Sequence, residues 1–498
     1  MLDRDLTLVT ISRERALTPQ DALRSGKTIV LIANAVHGGE TAGKEASQLV
    51  ARDLVAGDLR PLLDDVVVLF IPLLNPDGGE VRRRTNEEGF DMNRDYLKLE
   101  SQEVQALVTR VMNEWTPDIH LDTHHGGSVP YTITWQGTLN PAADAELRAY
   151  PYKALFPRVR EALRAEDYDG FDYSGARDFD GVPGWGSTSV EPRKHHVYTG
   201  LVNSIGILFE TPGNTRRLRA KGTKIEEVPQ EERYRHQVRG QVIAQRTVLQ
   251  VAAEKRQEIR ALTTASRLRA VRAGVSFEPE DQVVLEYKLV SRGKEDVWVP
   301  DKAAPLGYKL ESREIFLKYE PVRTTPRPLG YVLPPSMARA LPVLLDHGIV
   351  VHRFTAPAKL ELEVYQAKEV RRNEYFQGHD LKAVAAEKTT ETVEVPAGAF
   401  YVSTAQSRGN LVAYLMEPET DDNLVTWGFT DHLLRVSGVT ESTDEAPARP
   451  AAAASPTQAQ RPQRVPMMRL VKAQPMPLIE VVPFNDYNRT RYFQTWGR

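Results

Sequence analysis

Two hydrophobic textures divide this chain. In the first half, short apolar runs alternate with amphipathic stretches. Leu6–Ile11, Thr28–Ala33, Val66–Pro72, Ile119–Asp122 and Ile205–Phe209 are rich in Val, Ile and Leu and nearly continuous, the pattern of strands covered on both faces. Between them, Ala42, Ala46, Leu49, Val50 and Leu54 recur at helical spacing, as do Val104, Leu107, Val108, Val111 and Met112. A longer stripe, Tyr234, Val238, Val242, Leu249, Ala252, Ile259 and Leu262, sits among charged residues and predicts a helix that packs on this half or bridges to the next. Strands alternating with helices predict an α/β domain over residues 1–265, its sheet covered by helices on both faces. From about Ala273 the texture changes to period-two alternation, as in Val283 to Val290, with frequent Pro and Gly. Residues 270–440 therefore read as a mostly β domain with one helix, near Ser336 to His347. Residues 441–466 are rich in Ala, Pro, Gln and Arg and predict a disordered linker. The tail, 467–498, carries Tyr487, Tyr492, Phe493 and Trp496, aromatic enough to dock. No internal repeat is visible.

Composition narrows the field. With 498 residues there is room for two or three sizeable cores, and 41% apolar with 26% charged residues is ordinary for a soluble globular chain. A net charge of −3 gives no sign of a nucleic-acid partner. The absence of cysteine excludes disulfides, thiolate metal sites and cysteine nucleophiles. The longest apolar runs are too short to span a bilayer, and no signal peptide is visible at Met1-Leu2-Asp3-Arg4-Asp5.

The candidate chemistry falls just past strand ends, where open α/β sheets place their ligands. His37-Gly38-Gly39-Glu40 lies between an apolar run and a helical pattern, so an imidazole and a carboxylate three residues apart face one point. Taken alone, His-x-x-Glu is as well explained by a satisfied His and a Glu at a helix N-terminus. His124, in Asp122-Thr123-His124, supplies a third donor; His125 is its neighbour and competitor, and His120 lies deeper in the strand. His, Glu and His suit zinc and leave one position open, as a hydrolase requires. Asp91 can fix a ligand imidazole's tautomer or simply serve the turn after Gly89. Arg84, Asn93 and Arg94 form a constellation for an anionic substrate, although Arg82-Arg83-Arg84 also reads as a solvated charge run. Glu210 ends the run Ile205–Phe209 and is placed to act as a general base; its bland reading is a pair with Arg216 or Arg217.

These residues together resemble the zinc metallocarboxypeptidase family, the carboxypeptidase A-like fold. His37-Gly38-Gly39-Glu40, Asn75-Pro76-Asp77-Gly78, Arg84, Gly89-Phe90-Asp91-Met92-Asn93-Arg94, His124 and Glu210 stand in that family's order. The match covers about half the chain. The resemblance implies a mixed sheet with helices on both faces, one zinc ion held by His37, Glu40 and His124, Arg84 on the scissile carbonyl, Asn93 and Arg94 on a terminal carboxylate, and Glu210 as base. It is nearer to a bacterial branch with an appended C-terminal region, through Asn93-Arg94-Asp95-Tyr96, Pro117 to His124, Phe400 to Gln406 and Glu417 to Asp422. That branch is often exported. The chain ahead of His37 is short for the family, which implies a truncated start lacking its first strand and helix, with any signal peptide. The family's mobile substrate-side tyrosine falls on Tyr198, somewhat too near Glu210, whereas Tyr173 lies too far from it. No specificity residue aligns.

The expected activity is zinc-dependent hydrolysis of the C-terminal bond of a peptide bearing a free carboxylate. The alternatives are a zinc amidase acting on N-acyl amino acids or cell-wall peptides, and a binding protein on the same fold that has lost catalysis.

Overall fold

The computed structural model describes residues 4–13, 16–213, 218–436, 463–477 and 479–484. Strands are numbered along the chain. β1 (Val9–Ile11), β2 (Thr28–Asn34), β3 (Val66–Ile71), β4 (Ile119–His125), β5 (Ile133–Gly137), β6 (Gly170–Asp172), β7 (Gly175–Phe179), β8 (Val182–Gly186) and β9 (Ile205–Thr211) belong to the first half. Among the described residues, seven of these form one sheet in the order β1-β3-β2-β4-β9-β5-β6. β3, β2, β4 and β9 are mutually parallel, while β1 and β5 pair antiparallel to their inner neighbours. The sheet is therefore mixed, with the five expected strands all present. β5 and β6 carry Thr, Gln, Gly and Asp among their apolar residues, which breaks the continuous run that marks the others.

Alternation along each strand sends neighbouring residues to opposite faces. Ile29, Leu31, Val67 and Leu69 enter one core with Val104, Leu107, Tyr198 and Leu201. Val30, Ile32, Val68 and Phe70 enter the other with Val50 and Leu54 of the helix Ala42–Ala56 and with Val242 and Leu249. Helices thus cover both faces. The long charged stripe forms two consecutive helices, Arg233–Glu254 and Arg256–Arg272, which part at Lys255.

The second half begins after a small hairpin, β10 (Leu218–Lys221) and β11 (Lys224–Glu227). β12 (Gln282–Pro300) and β13 (Tyr308–Pro326) pair along nearly their whole length, and β13 adds in parallel to β8 through Glu314–Phe316. A strand pair of the second half thereby extends the β7–β8 hairpin of the first. The remaining strands are β14 (Gly330–Leu333), β15 (His352–Phe354), β16 (Ala358–Phe376), β17 (His379–Val395), β18 (Phe400–Ser403), β19 (Gln463–Arg464), β20 (Met468–Leu470) and β21 (Ile479–Val481). Among the described residues they form an eight-stranded sheet.

The textures change near residue 270, but the packing does not break there. Leu341, Leu344, Leu415 and Met416 share one core with Ile29 and Leu31. The expected helix near Ser336 is a 3-10 turn, Pro335–Ala340, running into Leu341–Asp346. A second helix, Gly409–Met416, was not expected: seven of its eight residues are buried, so it has no polar stripe to mark its period. Of the segment expected to be a linker, 441–462 lies outside the described residues, but its last four residues are ordered. β19 pairs with β16, and Val465 is fully buried. Tyr487, Tyr492, Phe493 and Trp496 lie outside the described residues.

One ion pair ties β20 into this sheet. Arg469 Nε lies 3.0 Å from Glu417 Oε1, with both side chains buried; the Tyr331 hydroxyl donates to the same carboxylate at 2.6 Å, and Tyr365 donates to its other oxygen. Removing the guanidinium leaves a buried charge uncompensated, which costs about 3–5 kcal/mol. Arg469→Ala should therefore lose about that much unfolding free energy in a urea titration. Arg464→Ala, which removes only an exposed pair with Glu391, should lose less than about 1 kcal/mol.

Candidate active site

Three strand ends set the site. His37 follows β2, His124 is near the end of β4, and Glu210 near the end of β9, directly across from His124 in register. The loop after β2 lies flat against a second turn. A Cβ on Gly38 would stand 2.1 Å from the Gly78 carbonyl carbon, so only glycine permits that approach. Asn75 locks the contact: its amide donates to the carbonyls of Val36 and Arg84, and its oxygen accepts from Gly78 N–H at 2.8 Å. Asn75-Pro76-Asp77-Gly78 is thus the brace beneath the His37 loop.

His37, Glu40 and His124 converge. His124 Nδ1 lies 3.1 Å from His37 Nδ1 and 2.8 Å from Glu40 Oε2, and His37 Nδ1 lies 2.9 Å from Glu40 Oε1. Donors about 2.0–2.2 Å from one tetrahedral ion stand about 3.3–3.6 Å apart. The observed separations are slightly below that range, so the three groups fit a divalent cation after a small expansion. Of the competing histidines, His125 turns away and accepts from Ala42 N–H at 3.0 Å. His120 is buried beside His195.

Each convergent imidazole is fixed from behind. His37 Nε2 donates to Asp91 Oδ1 at 3.0 Å, and His124 Nε2 donates to Asp122 Oδ1 at 2.9 Å. That leaves both Nδ1 lone pairs facing the centre. Asp91 also holds Arg84, accepting from its Nε at 3.0 Å, which sets Arg84 Nη1 3.2 Å from His37 Nδ1. Arg83 instead turns to the Asn86 carbonyl and Glu87, so Arg84 is the member of the arginine run that faces the site. Burial alone would raise Glu40 and Asp91. The neighbouring imidazoles, and for Asp91 also Arg94 and Arg84, hold both well below the usual carboxylate range. Burial would likewise lower His124, yet Asp122 and Glu40 hold it well above its ordinary value. The site is arranged to carry positive charge at its centre.

Glu210 is different. Burial, with His124 and Arg84 opposing and Glu40 and Asp122 adding, pushes it up to about 8. Its Oε2 is buried with no hydrogen-bond partner among the described residues. A Cβ on Gly126 would lie 2.7 Å from that oxygen, so the glycine leaves the carboxylate its space. Glu210, the triad, Arg84, Asn93 and Arg94 all line one cavity of about 360 Å³.

Two expectations need correction. Tyr198 is fully buried on the helix His195–Leu201, its hydroxyl 2.9 Å from His347 Nδ1, and it does not line the cavity. Tyr173 does line it, close enough that Glu210 is the largest influence raising its hydroxyl's pKa; chain distance from Glu210 was a poor guide because the β7–β8 hairpin and the helix His195–Leu201 intervene. Asn93 lines the cavity, but its oxygen is committed to the protein, accepting from His195 N–H at 2.9 Å. The sequence also held an unused signal: His120, Asp122 and His124 alternate on one strand face, which places Asp122 beneath His124. Tyr173, Arg177, Ser187–Ser189, Lys194 and His196 come mostly from segments without periodicity or motif.

A mixed α/β sheet with two histidines and a glutamate converging beside a buried carboxylate is the architecture of a metallohydrolase. Residues 1–154 match the family described as zinc carboxypeptidase, Peptidase_M14. That match, with the carboxypeptidases similar to most of the chain, places it among peptide-bond hydrolases. It is 22% identical to carboxypeptidase 2 of Trichophyton rubrum over 424 residues, 81% of this chain and 74% of that protein. It is 31% identical to carboxypeptidase SOL1 of Arabidopsis thaliana over 124 residues, 21% of this chain and 24% of that protein. Among solved structures, a metallo-carboxypeptidase from Pseudomonas aeruginosa is 19% identical, with a TM-score of 0.38, over 52% of this chain and 62% of that one. The chain thus spans under two thirds of that structure's length.

Carboxylates behind ligand imidazoles typically contribute 10–100-fold in metal affinity. Asp122→Asn and Asp91→Asn should each weaken zinc binding by about that factor in a chelator competition.

Proposed function

We propose that the protein removes the C-terminal residue from peptides, with zinc held by His37, Glu40 and His124. The observation that carries this is the pairing of two environments in one cavity: a donor triad braced to hold a cation, and beside it a buried carboxylate whose Oε2 has no hydrogen-bond partner among the described residues. A zinc ion there would polarise the scissile carbonyl, acidify the attacking water and, by its charge, draw Glu210 down from about 8 toward its ionised form.

The chain's own groups do the rest. Arg94, held by its Nη1 donating to the Asn93 carbonyl at 2.7 Å, presents its free N–H groups to the terminal carboxylate. Asn93 then acts chiefly as a brace of the cavity wall. Arg84, fixed by Asp91, is placed to donate to the oxygen of the carbonyl under attack. Glu210 takes the proton from the attacking water and returns it to the leaving amine. Tyr173 stands on the Glu210 side, where its hydroxyl can donate to the substrate backbone.

A second reading keeps the chemistry and changes substrate size: hydrolysis of small N-acyl amino acids. Its support is the tip of the β16–β17 hairpin, where Gln377 Oε1 accepts from Asp91 N–H at 3.1 Å. The second half of the chain thereby reaches the edge of the site. Turnover that falls as acyl-peptide length grows would favour this reading over peptide trimming.

Glu210→Gln should retain zinc and lose about 10²–10⁴-fold in turnover, whereas Glu40→Gln should weaken zinc binding itself. Zinc content and hydrolysis of blocked dipeptides, measured on both variants, separate the roles. A Glu210→Gln protein that holds zinc and turns over at the parent rate rules out the base assignment. Arg94→Ala should raise KM for free-carboxylate substrates by roughly 30-fold or more, the equivalent of at least about 2 kcal/mol, and barely change that for amidated ones. Equal losses on both would contradict it.

A further inference from the structure

Charge around the cavity exceeds what one terminal carboxylate needs. Arg84, Arg94, Arg177 and Lys194 all line it. Two of these cations are answered by the protein: Arg84 by Asp91 at 2.9 Å, and Lys194 by Glu191 at 2.7 Å. Arg94 and Arg177 have no carboxylate within ion-pair distance among the described residues. Each is instead anchored by one N–H on a backbone carbonyl: Arg94 on Asn93, and Arg177 on Gly186 at 3.1 Å. Two guanidinium groups are thus held in place with donors to spare, over the same cavity.

Arg177 is held on a stiffened wall. It lies on β7, its guanidinium 5.3 Å from the centre of the Phe179 ring. Phe179 in turn stacks on Phe316 of β13, at 4.4 Å between centroids. β13 pairs in parallel with β8, the partner of β7. The rest of the lining offers Ser187, Thr188 and Ser189 as hydroxyl donors, while Leu208 is its sole aliphatic side chain among the described residues. An apolar terminal side chain would find little surface to bury against, and a basic one would meet like charge.

We propose, resting on the carboxypeptidase reading above, that this cavity selects an acidic C-terminal residue: Arg94 reads the main-chain carboxylate and Arg177 the side-chain carboxylate of glutamate or aspartate. The cavity's 360 Å³ is at the small end of ligand sites, about 300–1,000 Å³, and suits one terminal residue. The polar lining supplies orientation and the two guanidinium groups supply charge. Arg177 is then the specificity determinant.

The test uses the full-length zinc-loaded protein and blocked dipeptides ending in Glu, Asp, Gln, Leu or Lys. The expected kcat/KM for Glu is at least tenfold above Gln and Leu, with Lys lowest. Arg177→Ala should erase the Glu-over-Gln ratio while Gln turnover stays within a few-fold, Arg177→Lys should restore part of it, and Arg177→Glu should favour Lys. A parent enzyme that cleaves Leu or Gln as well as Glu overturns the proposal and leaves the carboxypeptidase reading standing. So does an Arg177→Ala enzyme that keeps the Glu-over-Gln ratio. If no dipeptide is cleaved, the activity reading fails, and calorimetry with N-acetylglutamate, N-acetylglutamine and N-acetylleucine decides the pocket separately. Tighter glutamate binding that Arg177→Ala abolishes supports the acidic preference; equal binding of the three overturns it.

Discussion

The structure turns on one electrostatic constraint. Asp122 of β4, Glu40 of the loop after β2 and Asp91 ahead of a short 3-10 turn are brought together against two imidazoles whose Nδ1 atoms are 3.1 Å apart. Carboxylates are costly to remove from water unless opposite charge meets them. Here His124 provides part of that charge, and with Nδ1 unprotonated the two imidazoles turn lone pairs toward a centre suited to a cation. The surrounding construction serves this convergence. Gly38 allows the His37 loop to lie on the Gly78 turn, Asn75 fastens the two, and parallel register sets His124 beside Glu210. The same burial that holds the donors gives Glu210 its opposite behaviour, since its Oε2 has no hydrogen-bond partner among the described residues.

The central sheet and the donor triad were legible because their signals are local. Continuous apolar runs fixed five of the strands, and His-x-x-Glu placed after one of them is a short-range pattern. His124 was separable from His125 by its place at a strand end, because a strand presents alternate residues to one face. What could not be read was produced by long-range folding. Tyr198 and Tyr173 were ranked by chain distance to Glu210, and the packing of the β7–β8 hairpin and the helix His195–Leu201 between them inverts that order. Arg177 and Lys194 come from segments whose composition carries no period. The helix Gly409–Met416 was invisible because it is buried on nearly all sides.

The second half of the chain does more than follow the first. Its residues complete one of the two cores beneath the sheet, β13 extends the hairpin that walls the cavity, and the β16–β17 tip touches the loop that carries Asp91. His379 at that tip also lies 2.8 Å from Glu100. The donor triad comes from the first half, whereas the β7–β8 hairpin that contributes to the cavity wall is extended by a strand of the second. Such a division lets catalytic geometry stay fixed while the cavity lining varies.

The central claim is that His37, Glu40 and His124 form one cation site. X-ray absorption spectroscopy at the zinc edge, on protein reconstituted with one equivalent of metal, tests it most directly. The account predicts a single population of zinc with two imidazole ligands and carboxylate or water oxygens at about 2.0–2.2 Å, and loss of one imidazole in His124→Ala with the other retained. A parent spectrum lacking two imidazoles, or one unchanged by His124→Ala, would contradict it.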